Sequence, residues 1–146
     1  MQLSLENSPG YTIHAYGPEG ITLILPRGEV PLNPPRRDAG FVDEGMDILT
    51  GGFLLSPGGL MRDWGPGSFE ALTREHFAVL AELPVAILIL GTGARARLPH
   101  PRLGAPLAEA GIGLEAMDTA AACRTYNVLL GEGRAVAAAF LPLGAN

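Results

Sequence analysis

Pro84 to Gly93 reads PVAILILGTG. Its centre, VAILIL (85–90), is a continuous apolar run with a proline before it and a glycine pair after it. The run does not alternate and is too short for a core helix, so it predicts a strand buried on both faces. Such a strand needs a layer over each face, and the segments around it have the patterns that supply one. Downstream, a helix fits Pro106–Ala110, with a start as early as Pro101, and Gly111 closes it. GLEAM (113–117) predicts a short strand. Asp118 then caps a helix from Thr119 to about Leu130, which Gly131 ends. AVAAAFLPL (135–143) predicts the last strand.

Upstream, Ser68 caps a predicted helix that runs to Leu83 and stops at Pro84. Phe69, Leu72, His76, Val79, Leu80 and Leu83 share one face of it, and Glu70 and Arg74 form an i, i+4 pair on the other. GGLMRDWGPG (58–67) predicts a loop carrying the only tryptophan, and GGFLLSP (51–57) a short buried strand. Glycine and proline crowd the first forty positions, which argues against long helices there. TIHAY (12–16) and ITLIL (21–25) flank Gly-Pro-Glu-Gly and predict a β-hairpin. Residues 31–40, opening with PLNPPRRD, predict an exposed loop, and residues 1–10 a flexible start. The alternation of helix and strand predicts an α/β fold with a mixed sheet, to which the hairpin adds a layer.

Composition bounds the function. The 146 residues suit one domain, 1–146, with no internal linker. Hydrophobic residues make up 47% and charged residues 17%, which excludes a disordered chain. Mean hydropathy is +0.23, yet the longest apolar runs are VAILIL and AVAAAFL (135–141), far short of the ~20 residues of a membrane span. Net charge is −5, and all ten bases are arginine. An acidic chain without a basic cluster is a poor nucleic-acid ligand, because phosphate contacts supply most of that affinity. Without lysine there is no Schiff-base chemistry and no Walker-type phosphate site. One cysteine and three scattered histidines predict no disulfide, no metal and no cofactor. The first residues have neither the basic and apolar regions of a signal peptide nor the character of a transit peptide, so a cytoplasmic setting is expected.

Three stretches are candidates for a site. Gly91-Thr92-Gly93 ends the buried strand, where backbone N–H groups can approach an anion, and Arg95 follows. The third glycine of a dinucleotide fingerprint is missing, so a tight turn with positive φ at Gly91 and Gly93 is the plainer reading. In MDTAAACRTYNVLLGEGR (117–134), Asp118 has a ready explanation as an N-cap. Cys123 lies inside the helix with no histidine nearby in sequence, so it is expected to pack rather than react. Arg124 and Arg134 suit a carboxylate or phosphate, or pairing with Glu115, Asp118 or Glu132. Trp64, with Arg62 beside it, either anchors a partner or lids the domain's own core. His76 is expected as a boundary histidine, since it has no second histidine at i+4.

FLLSPGG with its following tryptophan, then LILGTG, then MDTAAACRTYNVLLGEGR resemble the family of respiratory complex I assembly factor 3, the mitochondrial NADH:ubiquinone oxidoreductase assembly factor with bacterial and archaeal relatives. The resemblance covers roughly Phe53 to Leu143, and TIHAYGPEGITL fits the family's start. It implies a three-layer α/β domain with a mixed central sheet, packed helices and a hairpin layer. It also implies a non-enzymatic protein-binding role, with complex I subunits or other assembly factors as partners. The setting implied is a prokaryotic cytoplasm, reaching the inner membrane through a partner, with a homo-oligomer left open. The alternative is a small-molecule or anion-binding domain, enzymatic or not, at the LGTG turn near Asp118 and Arg124.

Overall fold

The computed structural model describes residues 10–36, 44–56 and 58–143. The chain opens with β1 (Thr12–Gly17) and β2 (Gly20–Ile24), and β3 follows at Met46–Leu49. Next come β4 (Phe53–Ser56), β5 (Gly59–Met61), a 3-10 turn over Phe69–Ala71, and helix α1 (Arg74–Leu80). The order then runs β6 (Ile87–Gly91), α2 (Ala105–Glu109), β7 (Gly113–Met117), α3 (Thr119–Gly131) and β8 (Val136–Phe140). This is the α/β alternation expected from VAILIL outward.

Two sheets form. β1-β2-β3 is antiparallel throughout. The larger sheet has the order β5-β4-β8-β6-β7 and is mixed: β6 lies parallel to both β7 and β8, while β4 is antiparallel to β8 and β5. β6 is an inner strand between β8 and β7, with Leu88, Ile89 and Leu90 all buried. Side chains alternate across this sheet, as the two-residue period of a strand requires. Leu88, Leu90, Ala137 and Ala139 point into a core shared with Phe77 and Leu80 of α1 and Leu107 of α2. Ile89, Ala138, Phe53 and Phe140 point the other way, into a core shared with α3 and the inner face of the small sheet. The result is three layers: two short helices, the five-stranded sheet, then α3 beside the three-stranded sheet.

Four expectations are corrected. The helix expected over 68–83 is two pieces, because Leu72 is extended and Thr73 restarts the helix. Thr73 donates its backbone N–H to His76 Nδ1 at 2.9 Å, a local bond that stabilises the restart. The new start rotates the face, so Phe77 and Leu80 are buried while Val79 is exposed. The break also removes the i, i+4 geometry, and Glu70 pairs with Arg97 instead of Arg74. The loop expected over 58–67 contains β5, which pairs Leu60 with Leu55 and Met61 with Leu54. Positive φ at Gly93 (+103°) holds, but Gly91 lies outside that region and is glycine for another reason. A Cβ there would stand 2.6 Å from the Phe140 ring, which occupies the space.

Residues 31–36 run beside β3, where Asn33 accepts from the Ile48 N–H at 2.9 Å, and Leu32 is exposed. The rest of the expected loop, 37–40, and the expected flexible start, 1–9, lie outside the described residues. No helix among the described residues is long and apolar enough to cross a membrane.

Candidate functional site

β6 delivers Gly91-Thr92-Gly93 directly against the first turn of α3, and the two clasp each other. The Gly93 N–H donates to the Thr119 hydroxyl at 2.9 Å, and the Thr119 N–H donates back to the Gly93 carbonyl at 2.9 Å. Thr92 donates its N–H to the Met117 carbonyl at 2.9 Å. Its hydroxyl, fully buried, lies 2.7 Å from the Arg95 carbonyl and accepts from the Arg97 N–H at 3.1 Å. Asp118 accepts from the Ala121 N–H at 2.8 Å, which caps the helix. The N–H groups that a phosphate would use are thus already spent inside the fold. Arg95 is exposed at the edge of this knot.

Cys123 sits one turn along α3 from the knot and is 5% exposed. Burial pushes its thiol up to about 12, against a small downward pull from Arg124. At neutral pH it is a protonated thiol, a poor nucleophile and a packing group. Cys123 and Arg124 also border a shallow groove of about 260 Å³ between α3 and β1, together with His14, Tyr16 and Asn127. Asn127, one turn along α3 from Cys123, was not singled out from the sequence, and its amide accepts from the Ile13 N–H at 3.1 Å and donates to the Ile13 carbonyl at 2.6 Å. The side chain thereby acts as a further strand beside the edge strand β1, just where a bulge breaks its register. The groove and the LGTG turn are separate places, so Gly91, Thr92, Gly93, Arg95 and Asp118 do not join Cys123 and Arg124 around one cavity.

Trp64 is 4% exposed and packs in the helix-side core, its ring edge-on to His76 at 6.1 Å. The Trp64 backbone N–H donates to the Gly52 carbonyl at 3.3 Å and ties the loop to β4, and a side chain on Gly52 would strike the Trp64 carbonyl. Arg62 is turned toward Asp47, 2.7 Å away. Asp47 was not singled out from the sequence, although an acid between apolar neighbours in MDIL was the available signal. It is fully buried, and its other oxygen accepts from the N–H groups of Leu32 and Asn33 at 3.1 and 2.5 Å. A buried carboxylate held by a cation and two amides knits residues 32–33, β3 and the chain after β5 together.

The 3-10 turn is held to the loop after Gly93 from outside. Arg97 pairs with Glu70 at 2.6 Å and lies 4.2 Å over the Phe69 ring. The hydrogen bond from Arg97 is the main cause that lowers the Glu70 pKa. No group of three or more metal-ligating side chains comes together among the described residues.

A family model described as "Protein of unknown function (DUF498/DUF598)" matches residues 37–141, well over half of the chain. The chain belongs to that family. It is 34% identical over 105 residues to NADH dehydrogenase (ubiquinone) 1 alpha subcomplex assembly factor 3 of Bos taurus, covering 70% of this chain and 56% of that protein. The Danio rerio protein of the same name is 30% identical over 139 residues, covering 94% of this chain and 67% of its own length. This chain thus spans little more than half of the bovine relative. A crystal structure of a protein from Bordetella parapertussis superimposes with a TM-score of 0.70 at 30% identity, over 92% of this chain and 97% of the other. The family and the α/β fold agree with the resemblance read in the sequence.

Proposed function

We propose that this chain is a non-enzymatic protein-binding factor that helps to assemble respiratory complex I. The observation that carries the reading is the similarity to assembly factor 3, which runs through nearly all of the chain. The chemistry supports it. The thiol is buried and protonated, and the LGTG amides are bonded within the fold. Surface composition supports it too: Val30 and Leu32 are 75% and 73% exposed beside the small sheet, apolar area of the kind a protein partner covers. The factor acts in a prokaryotic cytoplasm as one domain and meets the inner membrane through its partner.

The test is deletion of the gene in its own organism, under growth that depends on complex I. Complex I abundance and NADH:quinone activity should fall together and recover with the gene supplied in trans. Unchanged complex I overturns the reading.

A further inference from the structure

Between Leu83 and Ala108 the chain carries no acid, yet it holds Arg95, Arg97, His100 and Arg102. For a chain of net charge −5, this is a local reversal of sign. The fold adds Arg74, from the start of α1, to the same surface. Arg74, His100, Arg102 and Leu103 line an open cleft of about 340 Å³.

The donors of this cleft are little used. The Arg102 guanidinium has no carboxylate partner among the described residues. Arg74 reaches Glu109 only at 3.8 Å, with both side chains more than half exposed, and its contact to the Arg102 carbonyl is 3.4 Å. An ion pair that long and that exposed contributes little. His100 is set in place: the Arg102 backbone N–H donates to its Nδ1 at 3.1 Å, and the Leu103 N–H donates to its carbonyl at 2.9 Å. With Nδ1 an acceptor, the ring proton resides on Nε2, which is left as a donor. Pro99 and Pro101 flank His100 and restrict the backbone that presents it, so less ordering is needed on binding.

We propose that Arg74, His100 and Arg102 form a binding site for a small dianionic phosphate or phosphate monoester. Two permanent positive charges match a dianion, and guanidinium forks match its tetrahedral oxygens. The imidazole adds a further donor at Nε2, and Leu103 supplies one apolar wall. The site is independent of the assembly role and of the LGTG turn.

The test is an amide and arginine side-chain NMR titration of the intact protein with inorganic phosphate, at constant ionic strength set by chloride. Saturable shifts are expected at residues 100–104 and at the Arg74 guanidinium, in the low-millimolar range that two solvated charge-assisted contacts support, roughly 1–10 mM. Arg102→Gln and Arg74→Gln should each weaken binding about tenfold or more while spectral dispersion is kept, and Arg27→Gln, at an exposed arginine after β2, should leave it unchanged. Absence of saturation overturns the proposal, as does an affinity in both glutamine variants equal to that of the parent protein. Equal saturation by acetate overturns the assignment to a dianion.

Discussion

Two basic, turn-rich places in this molecule look alike in sequence and differ in structure. At the LGTG turn the backbone donors of Thr92 and Gly93 face the start of α3 and are consumed by the Met117 carbonyl and the Thr119 hydroxyl. At the loop of His100 and Arg102, side-chain donors face a cleft, with only weak partners around them. The first place is built to hold the fold together and the second to hold something else. Whether a donor is spent, rather than which residue carries it, separates structural from binding chemistry.

Gly91→Val should have the largest effect, because its Cβ would meet the Phe140 ring in a packed core. A loss of about 3 kcal/mol is expected from urea unfolding. A near-neutral result would mean that the β6–β8 packing yields easily and that the knot is not rigid. Thr119→Val keeps the shape of the side chain but strands the Gly93 N–H, so about 2 kcal/mol should be lost. If it costs nothing, the amide has another partner and the turn regains its standing as an anion site.

Cys123→Ala, one turn further along α3, should cost about 1.5 kcal/mol through lost packing. In the native protein a thiol raised to about 12 should react slowly with a maleimide and speed up as urea opens the fold. Rapid native labelling would break the picture of an inert helix face. Asp118→Ala should cost about 1 kcal/mol as an ordinary lost N-cap.

The smallest effect is on the loop side. Glu70 has a folded pKa below its usual value, so its pairing with Arg97 stabilises at neutral pH, above the unfolded pKa. That contribution is lost as the pH falls through the folded pKa. The melting-temperature difference between the parent and Glu70→Gln should therefore be small at pH 7 and vanish on acidification. A difference that grows in acid would show that Glu70 does something other than pair with Arg97.

Much of the architecture was legible in one dimension. GLEAM is β7 with the expected ends, VAILIL lies across β6, and the helix capped by Asp118 runs to Gly131, one residue past its expected end. These elements announce themselves because their signals are local: a cap, a closing glycine, an apolar run. The helix expected over 68–83 failed for the opposite reason. Its periodic pattern was real, but Thr73 found a stable bond to His76 and started the helix again. β5 was missed because a three-residue strand that opens on a glycine has no period to read, and it forms by pairing with β4. Asn127 and Asp47 each bond to segments far away in sequence, and no local pattern predicts which distant amide a buried polar group will meet.

Residue order alone therefore determined the class of fold, four of the five strands of the larger sheet and the N-cap of the longest helix. Those rest on nearest-neighbour sterics and on the two periods of the chain. Only the tertiary structure decided that β8 enters between β4 and β6, that Gly91 makes room for Phe140, and that the LGTG amides are spent. It alone brought Arg74 to His100 and Arg102. The reason is physical: a donor's partner and a side chain's clearance are set by whatever the fold places across from them, and that is a property of three dimensions.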